Sequence, residues 1–193
     1  MDNFSSRPAD CHRSVANMQI RLATVEDAKL ICDFVTRITQ QHIAPTLSEA
    51  GLKHLIAGMS TLNQLERIRN GYRFFIAYDR NEILGVAGVK LPSHLYYLFV
   101  HPERQRQGIG RELWSCARES ICETLKERAI TVNSSLNAIG AYKRLGFSID
   151  GPVQESHGVR FQPMRMEFTT EPSDAREPAA GPDSNGQPSP PAQ

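Results

Sequence analysis

Two glycines, Gly108 and Gly110, stand between a short apolar run at residues 95–100 and a long amphipathic stretch. Glycine lacks a Cβ, so a loop containing it can turn tightly and let a ligand approach the backbone. The first N–H groups of a helix have no partner inside it, and with the helix dipole they favour an anion, usually phosphate. The segment Gln105-Arg106-Gln107-Gly108-Ile109-Gly110 is therefore a candidate phosphate cradle of the form Q-x-x-G-x-G. Two better-known phosphate loops are excluded. The dinucleotide fingerprint needs a third glycine where Leu113 stands, and a Walker loop needs lysine where Arg111 follows Gly110. By itself such a glycine pair is more often a plain turn. The strand pattern before it, the helical pattern after it and a second fitting segment further on weigh for the cradle.

The second segment runs from Val132 to Phe147 and contains Ala138, Tyr142, Gly146 and Phe147 in the pattern A-x-x-x-Y-x-x-x-G-F. With the V-x-P-x-x-Q-x-x-G-x-G loop that starts at Val100, it resembles the GCN5-related N-acetyltransferase (GNAT) superfamily over residues 18–168. The resemblance implies acetyl-CoA as co-substrate and no metal. It implies that the amides from Gln105 through Arg106, Gln107, Gly108 and Ile109 to Gly110 bind the CoA pyrophosphate. Arg106 stands where many members have glycine, so its guanidinium either reaches phosphate or lies in solvent.

Leu98, Phe99 and Val100 resemble the strand whose main chain pairs with the pantetheine arm, with the Val100 N–H aimed at the thioester oxygen. Tyr142 corresponds to the tyrosine that protonates the departing thiolate, a role suited to a phenol that stays protonated near neutral pH. The alternative for Tyr142 is packing of the last helix. Ser135 falls where many members carry asparagine, with Asn133 or Asn137 as substitutes. A carboxylate base is missing at its expected place, which is Tyr96 here. Strand alternation sets Tyr96 on the face of Leu98 and Val100, where it acts through water or shapes the pocket. His94, Glu103 and His157 are further candidates for the base. Two readings follow: an N-acetyltransferase acting on a small-molecule or peptide amine, or a catalytically silent CoA-binding module. Either fits a monomer or a homodimer.

These residues need elements to hold them. Residues 19–23 read as a short strand, and Thr24 as a helix N-cap with Asp27 as its acidic partner. Leu30, Ile31, Phe34, Val35 and Ile38 recur at helical spacing until Pro45 interrupts. A second helical region at 48–69 places Leu52, Leu55, Ile56, Met59, Leu62 and Leu65 on one side. Residues 73–78 and 82–90 read as a hairpin around Asp79-Arg80-Asn81. The helix from Gly110 buries Leu113, Ala117, Ile121 and Leu125. It crosses from the strand at 95–100 to a parallel one at 129–133. A helix at 135–145 stops at Gly146, and strands at 147–154 and 159–168 close the chain. The resemblance gives this α/β (α+β) order the acyl-CoA N-acyltransferase fold, a mixed, mostly antiparallel sheet of about seven strands flanked by helices.

Composition agrees with one domain in 193 residues. Its 22 basic and 21 acidic residues create no global field for nucleic acid or an anionic membrane. No apolar run approaches the ~18 residues of a membrane span, and the N-terminus lacks a signal-peptide core, so a cytoplasmic location is expected. Cys11, Cys32, Cys116 and Cys122 are scattered and read as buried or idle thiols in a reducing compartment, and the six histidines suggest no metal cluster. Residues 1–17 are expected to be flexible. Residues 169–193 hold half of the twelve prolines and no large apolar side chain, which predicts a disordered tail.

Overall fold

The computed structural model describes residues 13–15, 18–80, 82–122 and 129–167. The expected tail, and the N-terminal segment apart from residues 13–15, lie outside the described residues. The sheet begins upstream of the first expected strand, because β1 (Arg13–Val15) pairs with β2 (Met18–Leu22). Asp27 then organises the first helix start. It accepts the Thr24 backbone N–H at 2.8 Å and grips the Arg21 guanidinium at 2.6 and 2.7 Å, so the cap is also an anchor to β2. α1 (Ala28–Ile38) buries Ile31, Phe34, Val35 and Ile38.

The chain leaves α1 through a π-turn at Thr39–Ile43, before Pro45 is reached. The single helical region expected at 48–69 is two helices, α2 (Glu49–Gly58) and α3 (Thr61–Arg69). Ser48 and Ser60 cap them by accepting the N–H groups of Gly51 and Asn63. A cap at Ser60 restarts the helical phase, and the apolar stripe breaks with it. Leu62 is 64% exposed, while Gln64 is fully buried.

A meander follows: β3 (Tyr72–Asp79), β4 (Glu82–Lys90) and β5 (His94–Val100). α4 (Ile109–Cys122) crosses to β6 (Ala129–Ser135), which lies parallel to β5 as expected. α5 (Ile139–Arg144) leads to β7 (Ser148–Ile149), β8 (Gln154–Ser156) and β9 (Val159–Glu167). Among the described residues there are nine strands, in the order β1-β2-β3-β4-β5-β6-β9-β7 with β8 also on β9. Only β5 and β6 pair in parallel.

Each face of the sheet buries a core. Leu113, Ala117 and Ile121 of α4 pack on one face with Ile20, Leu95, Ile130 and Met164. Ile31, Phe34 and Val35 of α1 pack on the other with Met59, Phe74, Ile76 and Tyr97. Cys32 and Cys122 are free thiols, whereas Cys116, on the buried side of α4, is disulfide-bonded and so departs from the expectation of a free thiol.

Candidate functional site

The parallel pair of strands opens into a wedge. β5 and β6 pair only at His94↔Thr131 and Leu95↔Val132, and β6 then follows β9 as far as Ser135. From Tyr96 onward the β6-facing edge of β5 is left to the wedge. The phase of the β4–β5 ladder says which groups point there. The His101 N–H donates to the Leu84 carbonyl at 2.8 Å, and hydrogen-bonded pairs alternate along an antiparallel ladder. Phe99 and Tyr97 therefore bond to Val86 and Gly88, while the N–H and C=O groups of Leu98 and Val100 face the wedge. The Gln105 side-chain amide reaches the Val100 carbonyl from that side at 3.5 Å.

One expectation about this strand is corrected. Gly88 pairs with Tyr97 and Val89 with Leu95, so Tyr96 is the extra residue of a β-bulge. The bulge reverses the alternation. Leu95, Leu98 and Val100 lie with α4, whereas Tyr96, Tyr97 and Phe99 lie on the α1–α3 face. Tyr96 thus does not share a face with Leu98 and Val100. It stands at the vertex of the wedge, facing the opposite core.

At the open end of β5 the chain turns through Arg106 and Gly108, both with positive φ (62° and 88°), and α4 starts at Ile109. Gly108 acts as the cap, its carbonyl accepting from the N–H groups of Arg111 and Glu112. The Ile109 and Gly110 N–H groups of the first turn have no helical partner. A Cβ on Gly108 would meet nothing within 4 Å, so its requirement is the left-handed backbone and not crowding. Gln105, Arg106 and Gln107 are exposed around it. The loop thus offers unpaired N–H groups and a guanidinium at the mouth of the wedge, as a phosphate requires.

Tyr142 is fixed by the way α5 ends. Gly146, at φ 99°, follows the last turn; its N–H bonds the Lys143 carbonyl and the Phe147 N–H bonds the Tyr142 carbonyl, both at 3.1 Å. This is a Schellman motif, and it explains the Y-x-x-x-G-F spacing. Phe147 packs its ring edge-on against Tyr142 at 5.8 Å. Tyr142 borders the α4-side core, and burial pushes its hydroxyl above the usual tyrosine range. Ser135, at the end of β6, donates to the Asn137 side-chain oxygen at 2.7 Å.

The other candidates for the base are spread apart. His94 lies at the closed end of the wedge, bonded to Thr131 at 2.8 Å, and burial, then Lys90, lowers its pKa. His157 stacks on His54 with ring centroids 4.2 Å apart, in the turn between β8 and β9. Glu103 is exposed in the turn before the glycine loop. Tyr96 is the member of this set at the vertex, and it has neighbours that the sequence did not reveal. The Tyr97 hydroxyl accepts from Gln64 Nε2 at 3.2 Å, and its ring lies 4.5 Å from that of Tyr96. Gln64 Nε2 also donates to the Met59 carbonyl, an acceptor only, which fixes the amide orientation. The Tyr97 oxygen is therefore the acceptor from Gln64. Arg67 lies 5.0 Å over the Tyr96 ring. No sequence signal marked Gln64, a polar residue that a helical pattern assigns to solvent but that is fully buried.

The family model for the acetyltransferase (GNAT) domain matches residues 43–168. No curated protein matches the chain. Solved structures similar in fold include a GCN5-related N-acetyltransferase of Rhodopseudomonas palustris, at 20% identity and TM-score 0.68, over 81% of this chain and 99% of that one. They include the PaiA N-acetyltransferase of Thermoplasma acidophilum in complex with coenzyme A, at 19% identity and TM-score 0.63, over 78% and 99%. A spermidine N-acetyltransferase chimera from Vibrio cholerae matches at 17% identity and TM-score 0.53, over 79% and 96%.

Proposed function

From the chain's membership in the GNAT acetyltransferase family, we propose that it is an acetyl-CoA-dependent N-acetyltransferase acting on a primary amine by direct attack. The observation that carries this reading is the wedge between β5 and β6, with the main chain of Leu98 and Val100 facing it and the Gly108 loop at its mouth. Acetyl-CoA supplies an acetyl group activated as a thioester. The Ile109 and Gly110 N–H groups and Arg106 hold the pyrophosphate, and the β5 edge takes the pantetheine arm as an added strand. The Val100 N–H stabilises the charge that grows on the thioester oxygen. As the C–N bond forms and the C–S bond breaks, Tyr142 gives its proton to the departing sulfur from the α4 side, and the acylated nitrogen loses a proton to water. Tyr96, on the other face, meets the incoming amine, so donor and acceptor groups approach the reacting centre from opposite sides of the sheet.

The test is twofold. Radiolabelled acetyl transfer across a panel of primary amines should show turnover; binding of acetyl-CoA without turnover on any amine would make the chain a silent CoA-binding module. Gly108→Val should weaken acetyl-CoA binding by about tenfold or more, since a β-branched residue in the left-handed region costs ~1–2 kcal/mol and the loop must move to relieve it. Unchanged affinity by calorimetry would refute the cradle.

A further inference from the structure

The face of the wedge opposite α4 carries a positive charge with no counter-ion among the described residues. Arg67 of α3 is half-buried, with its guanidinium carbon 5.0 Å from the centre of the Tyr96 ring. One N–H donates to the Gly58 carbonyl at 2.7 Å, which closes the end of α2 and holds the side chain in place. Among the described residues no carboxylate pairs with Arg67. The rest of its five N–H donors remain available. A half-buried guanidinium with free donors and no carboxylate beside it offers an incoming carboxylate a charge-assisted pair of hydrogen bonds.

The position of Arg67 gives it a use. Tyr96 is the bulged residue where β5 parts from β6, so the guanidinium stands beside the vertex and not on a remote surface. Tyr72 meets the Tyr96 ring edge-on at 5.3 Å, and Tyr97 lies 4.5 Å away, so the charge borders an aromatic wall. Such a wall could bind an ammonium ion, but the guanidinium already occupies the Tyr96 face. A polycationic acceptor would meet like charge there. A planar carboxylate would instead match the guanidinium fork.

We infer that Arg67 anchors an anionic group of the acceptor, and that the preferred acceptor is a small primary amine bearing a carboxylate. This rests on the proposed transferase reading of the same wedge. The chain is then distinguished from polyamine acetylation by one residue of α3.

The experiment compares matched acceptors with the full chain: L-phenylalanine against L-phenylalaninamide, glycine against glycinamide, and spermidine as the polycation. The wild type should favour the carboxylate member of each pair by about tenfold or more in kcat/KM, chiefly through KM. Arg67→Gln should bring that ratio close to one while leaving acetyl-CoA affinity unchanged, and Arg67→Lys should restore part of it. A wild type that prefers the amides or spermidine, or a ratio unchanged in Arg67→Gln, overturns the inference while the transferase reading stands. If no amine is turned over, calorimetry of the amino acids on the CoA-loaded chain decides. Carboxylate binding lost in Arg67→Gln upholds the Arg67 site and sinks only the transferase reading, and no carboxylate binding sinks both.

Discussion

Tyr142 serves two purposes that one substitution separates. Its ring supplies the apolar contact that the Schellman end of α5 makes with Phe147, and its hydroxyl is the group proposed to protonate the sulfur. Tyr142→Phe keeps the ring and removes the hydroxyl. Turnover should fall by about 10²–10⁴-fold with acetyl-CoA affinity nearly unchanged, the range for a lost general acid. A loss below about threefold would leave Tyr142 as a packing residue. Its pH behaviour follows from burial, which disfavours the phenolate. The hydroxyl therefore stays protonated beyond the ordinary tyrosine value, and its alkaline limb should lie above about pH 10. A limb near neutral pH, present in the wild type and absent from Tyr142→Phe, would contradict that burial.

The elements show where sequence pattern carried information and where it ran out. The glycine loop, the crossover helix and the last helix stop were legible because each needs particular residues: left-handed backbone at Gly108 and Gly146, and apolar steps of four along α4. The bulge at Tyr96 was not legible. Residues 95–100 are Leu-Tyr-Tyr-Leu-Phe-Val, apolar or aromatic throughout because both faces of β5 are covered, so no alternation existed to reveal a phase change. Arg67 and Gln64 were hidden by the same kind of phase change, since the Ser60 cap restarted the helix and turned its faces. The capping pair Thr24 and Asp27 was legible, but its bond to Arg21 on β2 was not. That bond gives a prediction. Arg21, then the Thr24 N–H, holds the Asp27 pKa below the usual carboxylate value. Its contribution is thus fully present above about pH 4 and lost as pH falls through the lower folded value. Asp27→Asn should cost about 1–3 kcal/mol near neutral pH, as for hydrogen bonds to a charged group. The stability difference from wild type should shrink in acid, read by denaturant melts at pH 7 and pH 3. An equal difference at both values would assign the cost to packing.

At the scale of the molecule, the wedge lies between two cores that do not depend on its occupant. The α4-side core and the α1–α3 core each close over one face of the sheet, and β5 and β6 are held from outside by β4 and β9. Opening the sheet at its centre therefore leaves the strands paired on their other edges, and a ligand can insert without unpacking either side. β9 is described to Glu167 and the family match runs to residue 168, and we propose that the folding unit ends there. The residues beyond have six prolines and no large apolar side chain, so they have little with which to offset the entropy of docking. Ending the chain after Thr170 should keep the melting temperature within about 4 °C of the full chain, which corresponds to roughly 1 kcal/mol for a domain of this size. Acetyl-CoA affinity should be equally unaffected, because every group assigned to the cradle and the β5 edge lies between Leu98 and Gly110. A larger drop in melting temperature would mean that the last residues pack on the domain. A loss of affinity at unchanged stability would mean that they reach the mouth of the wedge.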